Sequence, residues 1–458
     1  SRIIQMGVVA LKESDTRPPT PEIPPSDLPK NSDMKNSYDC IVVGGGPAGS
    51  TTAALVAQAG HSVLLLEREE MPRFHVGESL MPETYWIFQR LGVLDKMQRS
   101  KFVKKFSVQF VSGSGKESQP FFFKEHDPRE CSQTWQVERA DFDNMLFENA
   151  RDKGAHCYDQ TRVMDPLMKG QRAIGVRLQT PDGDLREIRS RVVVDATGQS
   201  AMLASRMGIK QVDPNRKKAA IWTYYKGAHR EPDEHGGATV ILHTQSKEAW
   251  FWYIPLSGDV TSIGLVADND FLLKGRGKPH EVFEEELVNC PSLLGRLANA
   301  KLVDKFHVAK EFSYKTTQHA GDGWVLVGDA FGFIDPIYSS GVYFALKSGE
   351  MAADAIVAGF ASDNLTGKQL GSWTDEFKAG SKWVSKLVDA YYTNEFSFGH
   401  FMKDHPQHQG NLTDILIGRI FHDGAGNIFQ DMDKMLAEAR KQSTTEANRQ
   451  DDPSVVRT

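Results

Sequence analysis

The feature that most constrains this sequence is a glycine-rich turn between a short apolar run and a stretch of small residues. The run YDCIVV, from Tyr38 to Val43, leads directly into GGGPAG at 44–49, and STTAALVAQAG follows. A second apolar run, SVLLLE, ends at Glu67. A strand, a glycine turn, a helix and a second strand within about 30 residues are typical of a βαβ unit. The sequence therefore predicts an α/β fold that begins with a Rossmann-like nucleotide-binding unit.

Three glycines of this turn have the spacing GxGxxG. We expect Gly44 to permit the tight turn, Gly46 to let a pyrophosphate approach the backbone, and Gly49 to let helix and strand pack closely. The helix that begins at Pro47 and Ala48 offers unpaired N–H groups and the positive end of its dipole to phosphates. The turn is thus predicted to hold the phosphates of a dinucleotide.

The identity of the dinucleotide depends on residues farther along the chain. Glu67 ends the second strand, where it can accept hydrogen bonds from a ribose, and this fits NAD or FAD equally well. Strands are also predicted within RVVVDATGQS at 191–200 and GWVLVGDAFGFIDP at 323–336. The second of these ends in Gly328-Asp329, which resembles the second flavin motif of the large two-domain FAD monooxygenases. That resemblance favours FAD and implies that Asp329 binds its ribityl chain.

The distance between these motifs indicates an inserted substrate domain. We predict an FAD-binding domain over 38–360, interrupted by substrate-sheet segments at about 101–136 and 215–310. The strands of that sheet are predicted from alternating, β-rich patterns at 106–112, 219–226, 238–243, 249–255 and 261–267.

The C-terminal part of the sequence changes to helical periodicity. The first helix is predicted over 342–360, and one of its faces contains Val342, Ala345, Gly349, Ala352 and Ile356. The region 361–442 is predicted to be helical and 443–458 to be a polar tail, with helices near 372–392, 412–421 and 429–441. The three histidines of one segment are expected to lie in a solvated loop and not at a metal site: His400, His405 and His408.

Composition excludes several other classes of protein. The 458 residues carry a formal net charge of −6, which gives no reason to expect a nucleic-acid partner. No apolar run reaches the roughly 18 residues of a membrane span, and four cysteines without a CxxC pair fit a reducing cytoplasm. Residues 1–37 are expected to be a disordered Pro-rich extension, since RPPTPEIPPSDLP at 17–29 has six prolines that cannot donate backbone hydrogen bonds.

The motif that indicates the chemistry is WFWYIP at 250–255. It matches WxWxIP and resembles the flavin-dependent halogenases. Three further segments resemble the same family: PRFHVGES at 72–79, WQVERADFDNML at 135–146 and DPIYSSGVYFA at 335–345. The resemblance covers about 38–360. It implies an FADH2-dependent halogenase of secondary metabolism that uses chloride or bromide and receives FADH2 from a separate flavin reductase.

The resemblance also implies the roles of individual residues. The implied catalytic residues are Lys105, Glu78, Trp250, Trp252, Ile254 and Pro255. The residues implied to bind FAD are Gly44, Gly46, Pro47, Ala48, Gly49, Glu67, Arg68, Arg73, Arg139, Asp329, Gly341 and Val342. The halide is implied to lie against the backbone amides of Ser340 and Gly341, where unpaired N–H groups at the start of a helix attract anions.

In the mechanism that the resemblance implies, reduced FAD and O2 form a C4a-hydroperoxide, which oxidises the halide to hypohalous acid. A lysine receives this oxidant and presents electrophilic halogen to an electron-rich aromatic ring, while the two tryptophans separate flavin from substrate. Lys104 and Lys105 are adjacent, so only one can point inward from an extended chain. The family segment matches Lys105, and apolar surroundings should lower its pKa.

The substrate class is indicated by Tyr338. The free-tryptophan branch of the family has a glutamate in this turn, so the resemblance favours phenolic or pyrrole-type substrates, free or carrier-bound. Two alternatives stay open. One is an FAD-dependent aromatic hydroxylase or prenyl-chain reductase of the same superfamily, although the sequence has DATG at 195–198 and no second glycine-rich nucleotide loop. The other is a non-catalytic flavin-binding protein.

Overall fold

The computed structural model describes residues 34–212, 217–310, 313–393 and 396–450, with side chains described as far as 441. The strands are β1 Ser37–Val43, β2 Val63–Leu66, β3 Val103–Lys105, β4 Ser107–Val111, β5 Phe121–Phe122, β6 Thr134–Gln136, β7 His156–Tyr158, β8 Arg162–Lys169, β9 Arg172–Gln179, β10 Leu185–Asp195, β11 Lys210–Val212, β12 Lys218–Lys226, β13 Thr239–His243, β14 Ala249–Pro255, β15 Val260–Asp268, β16 Lys301–Leu302, β17 His307–Lys310, β18 Tyr314–Thr316, β19 Ala320–Gly321, β20 Trp324–Leu326 and β21 Gly332–Phe333. The helices are α1 Pro47–Gln58, α2 Thr84–Leu91, α3 Leu94–Arg99, α4 Phe123–His126, α5 Arg139–Asp152, α6 Met202–Arg206, α7 Asn269–Leu273, α8 Pro279–Val288, α9 Pro291–Arg296, α10 Ser340–Ala361, α11 Gly367–Leu370, α12 Thr374–Tyr391, α13 Phe398–Asp404, α14 Gln409–Ile417 and α15 Phe429–Gln450.

The first sheet has a parallel centre. Its order is β19-β20-β10-β1-β2-β7, and the pairs β20-β10, β10-β1, β1-β2 and β2-β7 are all parallel. The carboxyl ends of parallel strands share one edge of a sheet, and this edge is where open α/β folds bind ligands. The predicted α/β, Rossmann-like fold is confirmed.

The glycine turn between β1 and α1 needs two of its glycines for steric reasons. Gly44 has φ +110°, and a Cβ there would lie 2.2 Å from the carbonyl oxygen of Ala196. A Cβ on Gly49 would lie 1.9 Å from the carbonyl oxygen of Gly44. Both positions therefore exclude any side chain, and they hold α1 close to β1 and to the end of β10.

The second sheet lies between β10 and β20 in sequence, apart from β4 and β5. Its order is β16-β12-β15-β14-β13-β4-β5, and it is antiparallel except between β13 and β4. Side chains of a strand alternate between faces. Phe251 and Tyr253 of β14 belong to a hydrophobic core that includes Phe283 of α8 and Leu293 of α9. Trp250, Trp252 and Ile254 therefore occupy the opposite face.

Helix α10 crosses α1 at close range. A Cβ on Gly349 would lie 2.6 Å from the carbonyl oxygen of Ala48, and the Thr52 hydroxyl donates to the Gly349 carbonyl oxygen at 3.1 Å. The predicted apolar face of this helix is buried. This contact fixes the start of α10 relative to the glycine turn.

Three details of the C-terminal prediction are wrong. Helix α14 ends at Ile417, because Gly418 has φ +93° and terminates it in the left-handed conformation. Helix α15 continues to Gln450, beyond the predicted start of the tail at 443. The histidine segment forms α13 and a short 3-10 turn, and His408 is buried with its Nε2 atom 3.0 Å from the Asp431 carboxylate.

The predicted Pro-rich extension lies outside the described residues up to position 33. Within the described part of the chain, no helix combines the length and apolar character that crossing a membrane requires.

Candidate active site

A cavity of about 490 Å³ is bounded by the glycine turn, the segment 73–79 and one face of the second sheet. This face, which carries Trp252 and Ile254, is called the inner face of the sheet. The predicted site residues that line it are Gly44, Gly46, Pro47, Ala48, Glu67, Arg68, Arg73, Glu78, Arg139, Trp252, Ile254, Asp329, Gly341 and Val342. The predicted site residues that do not line it are Gly49, Lys105, Trp250, Pro255 and Ser340.

The glycine turn forms one end of this cavity. Among the described residues, a Cβ on Gly46 would meet only one atom within 4 Å, the Nη2 of Arg73 at 3.4 Å. The space beside Gly46 is therefore open toward the cavity, whereas Gly44 and Gly49 are closed in by backbone. This is the arrangement expected where a pyrophosphate approaches the chain.

A buried network of charges stands beside the turn. Glu67 accepts hydrogen bonds from the N–H of Gly45 at 2.9 Å and pairs with Arg73 at 3.3 Å. Arg73 and Arg139 both pair with Asp143, at 3.0 and 2.7 Å. Burial alone would raise the pKa of Asp143, but the two guanidinium groups hold it below its usual value. The network fixes both arginines at the cavity wall.

The turn before α10 forms another part of the wall. Asp329, Gly341 and Val342 line the cavity, and burial raises the pKa of Asp329 to about 6. Ser339 has φ 58° and its side chain does not cap the helix. Among the hydrogen bonds of the described residues, none is donated by the N–H of Ser340 or Gly341. Two donors at the positive end of a long helix are thus available to an anion.

The inner face of the second sheet forms a further part of the cavity wall. Trp252 and Ile254 line it, and the Trp252 indole N–H donates to the Ser262 hydroxyl at 3.1 Å. Trp250 precedes Trp252 by two residues and therefore lies on the same face of β14. Its indole N–H donates to the Tyr392 hydroxyl at 3.0 Å. The two tryptophan rings are 6.4 Å apart between centroids.

Lys105 lies just behind the cavity wall. It is 2% exposed, whereas Lys104 is exposed to solvent, so the chain turns Lys105 inward as expected. Its Nζ donates to the Ser79 hydroxyl at 2.8 Å and to the Leu80 carbonyl oxygen at 3.1 Å. Ser79 and its hydrogen-bond partner Thr239 both line the cavity. Burial lowers the pKa of Lys105 to about 7.

Known proteins resemble this chain in sequence and in architecture. Residues 37–354 match the FAD binding domain family. The chain is 33% identical to a 1H-pyrrole-2-carbonyl peptidyl-carrier protein brominase of Pseudoalteromonas luteoviolacea, over 80% of this chain and 89% of the brominase. It is 29% identical to the corresponding chlorinase of Pseudomonas fluorescens, over 87% and 92% of the two chains. The solved structure of the flavin-dependent brominase Bmp2 matches with a TM-score of 0.79 at 30% identity, covering 88% of this chain and all of Bmp2.

The chain belongs to the flavin-dependent halogenases. The expected halogenase activity, with FAD as cofactor and halide as reactant, is thereby confirmed.

The residues of this halogenase fit FAD. The open space at Gly46 suits a pyrophosphate, Glu67 stands where a ribose is expected, and Asp329 lies at the end of β20 on the same cavity wall. A carboxylate at the cavity wall and a helix N-terminus are suitable partners for ribose hydroxyls and phosphates.

Glu78 contributes a second group that titrates near neutral pH. It is 3% exposed and lines the cavity, and it accepts a hydrogen bond from the Tyr224 hydroxyl at 2.6 Å. Burial raises the pKa of Glu78 to about 7, although the hydrogen bonds of Tyr224 and Ser262 and the charge of Arg139 act in the opposite direction.

Several residues that shape this site were not predicted from the sequence. They are Ser79, Asp143, Tyr224, Thr239, Ser262 and Gly264. A signal existed for Asp143, because it follows Arg139 by four positions on a predicted helix, a spacing that allows an ion pair. The other residues act through contacts between strands that are distant in sequence, so no local pattern indicates them.

Proposed function

We propose that this halogenase delivers halogen through Lys105 to an electron-rich phenolic or pyrrole-type ring. The observation that carries the proposal is the buried amine of Lys105, whose pKa is lowered to about 7. The described residues give this amine no carboxylate partner, only the Ser79 hydroxyl and a backbone carbonyl. A substantial neutral fraction near pH 7 makes the amine a nucleophile, which an ordinary lysine is not.

Reduced FAD, delivered by a flavin reductase, and O2 supply the oxidising equivalent that converts halide to hypohalous acid. The chain's own residues bind and orient the reactants. Gly46 and the start of α1 receive the pyrophosphate, Glu67 the ribose and Asp329 the ribityl chain. Arg68, Arg73 and Arg139 supply positive charge beside the phosphates. The N–H groups of Ser340 and Gly341 hold the halide at the same wall.

We assign the inner face of the second sheet to the separation of flavin from substrate. Trp252 and Ile254 form the wall between the cavity and the interior that contains Trp250. An aromatic substrate is kept from direct oxygenation by this wall, whereas a small neutral oxidant passes it. Ser79 holds the amine of Lys105 at the point where the oxidant arrives, and Pro255 ends the strand that carries the wall.

The substrate class follows from the turn before α10. Tyr338 is buried, and its hydroxyl donates to the Leu387 carbonyl oxygen at 3.3 Å. Burial raises the pKa of Tyr338 well above its usual value, so this position carries no negative charge. Halogenation places a positive charge on the ring of the substrate. Phenols and pyrroles need less stabilisation of this charge than the indole ring of free tryptophan does. The similarity to two enzymes that act on carrier-bound pyrroles favours a carrier-bound substrate.

The test uses the full chain with FAD, a flavin reductase, NADH, O2 and bromide. Four kinds of acceptor are offered separately: free phenols, free pyrrole-2-carboxylate, free tryptophan, and pyrrole-2-carboxylate attached as a thioester to a carrier protein. Mass spectrometry should show the isotope pattern of bromine in the carrier-bound pyrrole or in a phenol. Brominated free tryptophan as the preferred product would contradict the substrate class, and an oxygenated product without bromine would contradict the proposed chemistry.

A further inference from the structure

The end of helix α12 is tied by hydrogen bonds to two separate parts of the active site. Tyr392 directly follows this helix. Its hydroxyl accepts the indole N–H of Trp250 at 3.0 Å and donates to the Asp335 carboxylate at 3.3 Å. The same oxygen of Asp335 accepts the N–H of Ile337 at 2.9 Å. Trp250 belongs to the WxWxIP strand, and Ile337 lies two residues before Ser339.

We infer that Tyr392 is a positioning residue that holds the halide-binding turn in register with the WxWxIP strand. This inference rests on the proposed function, because that proposal assigns halide to the amides of Ser340 and Gly341. Within the turn, the Ser339 N–H donates to the Pro336 carbonyl oxygen at 3.0 Å. Ser339 has φ 58° and provides no side-chain cap, so the start of α10 depends on contacts from outside the helix.

The geometry around Tyr392 favours one orientation of its hydroxyl. Burial and the neighbouring charge of Asp335 raise the pKa of Tyr392 well above its usual value, so the hydroxyl keeps its proton and donates to the carboxylate. The ammonium group of Lys218 lies 4.0 Å from the centre of the Tyr392 ring and pairs with Asp268 at 2.9 Å. The ring is thus held by a cation–π contact, while its hydroxyl joins strand and turn.

The adjacent tyrosine provides a matched control. Tyr391 lies next to Tyr392, with ring centroids 5.2 Å apart. Among the described residues, the buried hydroxyl of Tyr391 has no hydrogen-bond partner. Tyr391→Phe and Tyr392→Phe therefore remove the same atom from neighbouring rings, but only the second change breaks a connection to the halide turn.

The first measurement concerns the halide. In steady-state bromination by the FAD-loaded enzyme, Tyr392→Phe should raise the KM for bromide about 3–10-fold, the range expected for loss of one hydrogen bond. It should change kcat less than about twofold, because the oxidant and Lys105 are untouched. Tyr391→Phe should leave both parameters unchanged. A KM for bromide that is unchanged in Tyr392→Phe, or raised equally in Tyr391→Phe, would overturn the inference.

The second measurement does not depend on halogenation. With ¹⁵N-labelled tryptophan, the indole N–H signal of Trp250, assigned by its loss in Trp250→Phe, should shift in Tyr392→Phe and not in Tyr391→Phe. An unshifted signal would overturn the connection through Tyr392. A wild-type enzyme that makes no halogenated product would instead overturn the proposed function, and the indole signal would still decide whether the connection exists.

Discussion

Gly264 lies directly opposite Trp252 on the neighbouring strand, and a Cβ on Gly264 would lie 2.0 Å from the indole ring. The same glycine is paired with Trp222 of β12 on its other side. A glycine in the middle of a central strand costs conformational entropy. Here its missing side chain lets the Trp252 ring lie flat against the sheet, where it forms the cavity wall.

Gly264→Ala should therefore displace the Trp252 ring. We expect an added methyl group in this packed position to cost about 1–3 kcal/mol of unfolding free energy. We also expect less halogenated product per reduced flavin consumed, since the wall is disturbed. Gly295→Ala is the control, because a Cβ at Gly295 meets no atom of the described residues within 4 Å. Thermal denaturation and product analysis check both effects, and equal behaviour of the two variants would contradict the role of Gly264.

Gly46→Val tests the assignment of the nucleotide loop. In the part of the chain that the structure describes, the only atom near a Cβ at Gly46 belongs to the flexible side chain of Arg73. The protein should therefore fold while the new side chain fills the path of the pyrophosphate. We expect the purified variant to lack FAD but to keep the far-UV circular dichroism of the wild type.

Gly44→Ala is the contrasting variant. A Cβ at this position would lie 2.2 Å from a backbone oxygen, and φ is +110°, so folding itself should fail. A yellow Gly46→Val enzyme with wild-type affinity for FAD would show that the loop has been assigned wrongly.

The sequence predicted the nucleotide-binding half of the fold well, because its signals are local. The βαβ unit requires glycines at fixed spacing, and Gly44, Gly46 and Gly49 each have the environment that the spacing implies. The alternation of an extended chain predicted that only one of Lys104 and Lys105 points inward, and the family resemblance selected Lys105. By contrast, the partners of these residues could not be predicted. Ser79 reaches Lys105 because it forms a bridge with Gln136 of β6, and β6 pairs with the strand β3 that contains Lys105.

The pH dependence of halogenation tests the protonation state of the amine. The pKa of Lys105 is lowered to about 7 by burial, so the amine is mostly protonated below this pH and neutral above it. If the neutral amine accepts the halogen, the yield of halogenated product per reduced flavin should rise as the pH increases through about 7. Measurement between about pH 5.5 and 8.5 checks this.

Glu78 titrates in the same range, since burial raises its pKa to about 7. The variant Glu78→Gln separates the two groups. The pH profile of the halogenation yield should have the same midpoint in Glu78→Gln as in the wild type, although the absolute rate can differ. A yield that falls as pH rises, or a midpoint that disappears in Glu78→Gln, would contradict the role of the neutral lysine.

Ser340→Pro tests the halide site. Position 340 is the first of helix α10, where proline is tolerated, and the change deletes one N–H donor. The residue before a proline is restricted and Ser339 already has φ 58°, so the comparison is made in a Ser339→Gly background. A hydrogen bond to an anion is worth about 1.5–3 kcal/mol, so the KM for halide should rise about 10–100-fold. If the KM for halide is unchanged in a variant that still binds FAD, the assignment of the halide to this site is wrong.

The most direct test of halogen delivery by Lys105 is product formation by Lys105→Ala. This variant should bind FAD and consume reduced flavin and O2 at wild-type rates, but it should form halogenated product at least ~100-fold more slowly. Lys105→Arg should be equally inactive, because a guanidinium stays charged. Lys104→Ala, which changes an exposed side chain, should keep most of the activity. Halogenation at wild-type rates by Lys105→Ala would contradict the delivery of halogen through Lys105.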